Sequence, residues 1–224
     1  MPHVPNPAAA DFEELRDRLE RSGAEALDTA ECLAFALRRG AGRAAFGWAE
    51  RLLAEFGSLP DLLAASGAAL RAASTPAIAD DIEVLHELQV RALRAPLRVY
   101  PMLPDRSAVA DYLQAVLAAE RREQFRVLFL DKAHRLLRDE RMAQGTVDHA
   151  PIYPREIMRR ALELDASGLV LVRNRPTGAI EPTAADVDAT RQILAAARAL
   201  RIAVHDHLLV AGRAVVSFSA RGLL

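Results

Sequence analysis

The chain has 224 residues, 29 Lys+Arg against 30 Asp+Glu and a formal net charge of −1, which excludes a polycationic nucleic-acid coat and an acidic tail protein. Hydrophobic residues make up 51% and charged ones 26%, a composition that folds, and the length is enough for one large domain or two small ones. Lys132 is the only lysine, so nearly every cation is an arginine.

Residues 1–10 (Met1-Pro2-His3-Val4-Pro5-Asn6-Pro7 and three alanines) read as a disordered tail. They lack the charged start and apolar centre of a secretion signal, no apolar run approaches the ~20 residues of a membrane span, and the expected compartment is the cytoplasm. Residues 11–95 are helical in pattern, with apolar residues every three or four positions through Phe12–Leu19, Leu27–Leu37, Phe46–Phe56 and Ile78–Leu93. Gly40, Gly57 and Gly67 are expected stops, and Thr29 and Pro60 lie near starts. The single cysteine, Cys32, excludes a disulfide framework and is expected to be a buried structural thiol.

Ala95-Pro96-Leu97-Arg98-Val99-Tyr100-Pro101-Met102-Leu103-Pro104 holds three prolines in ten residues, and 96–104 is expected to be a linker through which no helix runs. The second domain, 105–224, opens with a helix near Arg106–Arg121. Phe125–Asp131 reads as a buried strand, Leu136 to about Gln144 as its partner, and Gly145-Thr146 as a break. Pro154-Arg155-Glu156 opens a helix, Gly168–Val172 is a second buried strand, and Thr183 is an N-cap for a helix through Leu200. The strand Ile202–Val210 and a hairpin across Ala211-Gly212 close the chain. Alternating strands and helices make this half an α/β or α+β sandwich.

Arg173-Asn174-Arg175-Pro176-Thr177-Gly178, followed by Glu181-Pro182-Thr183-Ala184-Ala185-Asp186, resembles the signature of RadC-like proteins of the JAB/MPN (JAMM) metallopeptidase-like family. That family pattern is His-x-His-Pro-Ser-Gly, then Pro-Ser-x-x-Asp, with an upstream Glu. Glu123-Gln124-Phe125, Phe129-Leu130-Asp131, Pro154-Arg155-Glu156-Ile157, Asp206-His207 and Ser217-Phe218-Ser219-Ala220-Arg221-Gly222 carry the likeness over the rest of the chain. The resemblance implies a helical amino-terminal domain with a degenerate helix-hairpin-helix, joined to a mixed-sheet domain of the cytidine-deaminase-like sandwich type.

In the family, two histidines and the aspartate hold zinc, the glutamate takes a proton from a zinc-bound water, and the serine supports the oxyanion. Carried over, the base position is Glu123, the hydroxyl is Thr183 and the aspartate is Asp186, but the histidine positions are Arg173 and Arg175. A guanidinium offers no lone pair and repels a dication, so no metal cofactor is expected. Two readings of the arginines follow: an ion-pair cluster with Glu123 and Asp186 filling the old pocket, or a small anion-binding site. A metal site rebuilt from His205 and His207, which alternate along one expected strand face, stays open as an alternative.

The family's helix-hairpin-helix carries a Gly-apolar-Gly turn and a small-Lys pair against a DNA phosphate. Here Ser74-Thr75-Pro76-Ala77-Ile78-Ala79-Asp80-Asp81 lacks those glycines and has Asp80 in place of the lysine, which argues against DNA. The arginines Arg121, Arg122, Arg135, Arg138, Arg141, Arg155, Arg159 and Arg160 are interspersed with acids and read as a solvated face. The first functional reading is a catalytically inactive family member kept as a binding or regulatory module for a protein or small anion. A zinc-dependent isopeptidase-type hydrolase is the alternative, DNA association a weaker one, and the oligomeric state is open.

Overall fold

A computed structural model describes residues 12–101, 106–117, 120–145 and 152–224. The tail 1–10, linker residues 102–104, Thr146 and His149 lie outside the described residues. The chain divides after Leu88 into two units.

The first unit is helical: α1 (Phe12–Ser22), α2 (Thr29–Ala41), α3 (Ala45–Phe56), α4 (Leu59–Leu63), α5 (Gly67–Ala73) and the start of α6 (Pro76–Val99). Their starts are set locally. Asp28 caps α2, its side chain accepting from Glu31 N while the Glu31 carboxylate accepts from Asp28 N, and Ser58 and Ser66 cap α4 and α5. Leu33, Ala34, Leu37, Ala49, Leu52, Leu62, Leu70, Ile78 and Ile82 form one buried core. Each large aliphatic side chain in it contributes about 1.5–3 kcal/mol by leaving water.

Three expectations for this half need correction. Cys32 is exposed, because the buried stripe of α2 runs through Leu33, Ala34 and Leu37 and leaves position 32 on its outer flank. Gly57 does end α3, in the left-handed region at φ 84°, but Gly40 lies inside α2 and Gly67 is the first residue of α5. At Gly40 the helix passes close to the Asp81 carboxylate, where a Cβ would meet Oδ2 at 2.7 Å.

The segment expected to be a linker is helical up to Val99. α6 runs through Pro96, and Val90 and Leu97 lie in a core cluster of the second unit. Pro96 removes only its own N–H, and it does so in the last turn, where Tyr100 N still donates to its carbonyl at 2.8 Å. Burial of Leu97 outweighs the lost bond.

The second unit is built on a five-stranded sheet ordered β2-β1-β3-β4-β5. The strands are β1 (Gln124–Leu130), β2 (Leu136–Gln144), β3 (Gly168–Asn174), β4 (Ala203–Ala211) and β5 (Ala214–Ser217). β3 and β4 are parallel, joined by α9 (Ala184–Ala199), and the other pairs are antiparallel. The helix α7 (Arg106–Leu117) covers one face with Val109, Tyr112, Leu113 and Leu117 over Leu128, Val170, Val172 and Leu208. Tyr112 also donates to Asp139 Oδ2 at 2.6 Å, which fixes that helix over β2. The helix α8 (Pro154–Glu163) and α9 cover the other face, with Ile157, Met158, Ile193 and Ala197 over Phe125, Phe129, Leu169 and Leu171. This is the α+β sandwich anticipated from the alternation of elements.

Candidate functional site

Strand alternation sends Leu169, Leu171 and Arg173 of β3 toward the α8/α9 face. Arg173 sits opposite Phe125 in the β1–β3 register, with its guanidinium 5.8 Å from that ring. Arg175 follows the end of β3, held by a 2.7 Å bond from its N–H to the Val210 carbonyl. Between them, buried Asn174 accepts from Gln124 N at 2.6 Å and donates to the Arg122 carbonyl at 3.0 Å. This clamp fixes the segment carrying Glu123. Asn174 escaped the sequence reading, although an amide flanked by the two motif arginines at the end of a buried strand was its signal.

Asp186 is the N3 residue of α9. Its carboxylate completes a capping box, accepting from Thr183 N at 2.9 Å, while Thr183 Oγ1 accepts from Asp186 N at 3.2 Å and donates to Asp186 Oδ2 at 2.7 Å. The Thr183 hydroxyl is thereby engaged with Asp186.

The four motif positions converge. Arg175 Nη1 donates to Glu123 Oε1 at 2.6 Å and Nη2 to Asp186 Oδ2 at 2.5 Å. Arg173 Nη1 lies 3.2 Å from Asp186 Oδ1 and 3.8 Å from Glu123 Oε2, the two carboxylate oxygens that take no aligned hydrogen bond. Two cations and two anions are thus enclosed together, with the side chains of Arg173 and Arg175 only 8% and 14% exposed. Burial alone would raise the Asp186 pKa, but the Thr183 backbone N–H and hydroxyl, Arg173 and Arg175 outweigh it and hold the carboxyl below its ordinary range. Burial lowers the Arg173 pKa, and Asp186 and Glu123 oppose that shift.

Beneath the cluster lies His207, whose ring stacks at 4.3 Å on Phe218 and packs edge-on to Phe125. Thr190 Oγ1 donates to the Asp186 carbonyl at 2.6 Å and lies 2.7 Å from His207 Nδ1. With that hydroxyl proton committed to the carbonyl, Nδ1 carries a hydrogen and donates. Burial first, and the two arginines after it, push His207 down to about 3. Thr190 had no mark in the sequence beyond its spacing of four from Asp186 on one helix face.

The expected pairing of His205 with His207 on one strand face is corrected. Leu169 pairs with Val204 but Val170 pairs with Asp206, so His205 is an extra residue in β4. The bulge flips the alternation. His205 and Asp206 both turn toward α7, while His207 faces α9. Among the described residues, no three or more His, Cys, Asp or Glu side chains gather where they could hold a metal ion.

At the positions named against DNA, Asp80 pairs with Arg71 at 2.8 Å and Thr75 Oγ1 accepts from Ile78 N at 3.4 Å. On the arginine-rich face Arg135 pairs with Asp131, Arg159 with Glu156 and Arg160 with Glu140. No described helix is long and apolar enough to cross a membrane.

A five-stranded mixed sheet between α7 and the α8/α9 pair, with Glu123 on its first strand's approach and Thr183-x-x-Asp186 at a helix start, defines a JAB-type domain. The RadC-like JAB domain pattern matches residues 103–223, and the UPF0758 N-terminal pattern matches residues 9–79. A UPF0758 protein of Rhodobacter capsulatus is 42% identical over 213 residues, covering 94% of this chain and 100% of the relative. The chain belongs to the RadC-like JAB domain family.

Proposed function

We propose that this chain is a metal-free member of its family, a pseudoenzyme whose JAB fold serves as a binding or regulatory module. The observation that carries the reading is the Arg175 guanidinium, bonded at once to Glu123 and Asp186. Zinc chemistry needs neutral imidazoles and a carboxylate around an open position, where the metal brings a water pKa to about 7. Here the donor set is two carboxylates, each already paired with a guanidinium that has no lone pair to give. The residues present do not fit the metal. The same charge balance favours the ion-pair reading over an anion site, since both arginines face carboxylates within the cluster. A metal centre rebuilt from His205 and His207 is disfavoured by the bulge that turns them to opposite faces of the sheet.

Elemental analysis of the purified full chain tests this. No stoichiometric zinc is expected, and about one metal per chain would overturn the proposal. The double variant Arg173→His/Arg175→His is expected to gain one zinc per chain, because Glu123 and Asp186 are retained. A folded double variant that stays metal-free would show that these positions are not the family's ligand positions.

A further inference from the structure

The bulge at His205 has a consequence on the other face of the sheet. It turns two consecutive polar residues, His205 and Asp206, into a cavity of about 310 Å³ under α7. That is the lower end of the roughly 300–1,000 Å³ usual for small-molecule sites. Its walls are apolar: Val109 and Ala110 of α7, Val170 of β3, Leu208 of β4 and Val215 of β5. Its polar groups are Arg106, His205, Asp206 and Ser217.

These polar groups differ in how far they are committed. Asp206 is heavily committed: Oδ1 accepts from His207 N at 2.8 Å and Ser219 N at 3.0 Å, and Oδ2 accepts from the Ser217 hydroxyl at 2.5 Å. Ser217 has in turn given its proton to that bond. Arg106 is only loosely engaged, 3.5 Å from Ser217 Oγ and 4.0 Å from Asp206 Oδ2, with its side chain 64% exposed. His205 presents a ring that packs edge-on against His134, with centroids 4.7 Å apart. The groups left for a ligand are therefore a guanidinium and an imidazole above an aliphatic floor. We propose that this cavity is a binding site for a small aliphatic carboxylate, its anionic head on Arg106 and His205 and its chain against Val109, Val170, Leu208 and Val215. A cationic or purely donor ligand would meet Arg106 at the mouth and an Asp206 carboxylate that already accepts three hydrogen bonds. The site lies on the sheet face opposite the arginine cluster and does not depend on whether that cluster binds metal.

The test is a titration of the full chain with 3-methylbutanoate, its amide and the matching amine, followed by amide chemical shifts. The acid is expected to give saturable shifts at Val109, Ala110, Val170 and Leu208, with the amide and amine binding at least about tenfold more weakly. Arg106→Gln, at an exposed position, is expected to weaken the acid by about tenfold with the spectrum otherwise unchanged. Ala110→Leu, which fills the cavity, is expected to abolish binding. The proposal is overturned by an acid that gives no saturable shift at these residues, or by an amide or amine that binds as well. Undiminished binding in a folded Arg106→Gln or Ala110→Leu variant overturns it equally.

Discussion

Arg175 Nη2 lies 2.5 Å from Asp186 Oδ2, the oxygen that also takes the backbone N–H and hydroxyl of Thr183. One carboxylate oxygen thereby joins the end of β3 to the start of α9. The guanidinium's other arm goes to Glu123, ahead of β1. Replacing Arg175 by Ala would leave two buried carboxylates facing each other with only Arg173 between them. Loss of one partner from a buried pair costs about 3–5 kcal/mol. Urea unfolding should show a drop of that size for Arg175→Ala, and Glu123→Gln added to it should recover part by removing one anion. A loss below about 1 kcal/mol would mean that the cluster is hydrated and weakly coupled.

Thr183 joins the two devices, because the same hydroxyl caps α9 and donates to Asp186. Substitution of an N-cap costs about 0.5–2 kcal/mol. Thr183→Val is expected at the upper end, since Asp186 is fully buried and loses a donor. The Asp186 carboxyl should also titrate at a higher pH in the variant. Carbon-detected NMR titration measures this, and an unmoved Asp186 would remove Thr183 from the account of its acidity.

Stability should fall with pH before the carboxylates protonate. The folded His207 pKa is about 3, against roughly 6.5 for an unfolded histidine. Between those values the unfolded chain binds a proton that the folded chain refuses. The His207 contribution is therefore complete above about pH 6.5 and is lost, at roughly 1.4 kcal/mol per pH unit, as pH falls toward 3. His205, lowered by burial and then by His134, adds a slope of the same sign. Asp186, also lowered, acts in that direction below the ordinary carboxylate pKa of about 3.9. Denaturation at pH 7, 6 and 5 should show this decline, and His207→Gln should flatten it. An unchanged slope in that variant would place the titration elsewhere.

How far the sequence went differs from one part of the molecule to another. Glu123, Arg173, Arg175 and Asp186 were named together through the likeness to the RadC-like signature, and the strand end and helix start that carry them bring them into one cluster. The strands were legible because Val127–Leu130 and Leu169–Val172 are buried on both faces and so read as continuous apolar runs. Pro96 misled, because a proline rule written for helix interiors does not weigh the burial of Leu97 in the final turn. The bulge at His205 was invisible for a deeper reason. It is set by cross-strand register, with Asp206 capturing the His207 N–H that regular pairing would use, and no local pattern along β4 encodes that.

The bulge does have one trace across the ladder, at Gly168. A Cβ there would fall 2.6 Å from His205 Nε2 and 2.9 Å from its Cδ2, so the ring occupies the space that any larger residue would need. Gly168 is thus required by the imidazole itself and carries no left-handed φ of its own. Gly168→Ala should displace His205 from His134 and destabilise the fold by about 1–3 kcal/mol, the usual range for overpacking. His205→Ala removes the obstacle, so the double variant should be more stable than the sum of the two single changes predicts. A double-mutant cycle of unfolding free energies measures the coupling, expected to exceed about 0.5 kcal/mol. Strict additivity would mean that His205 already leaves Gly168 uncovered in solution, and the bulge would then not be what holds the ring in the α7 cavity.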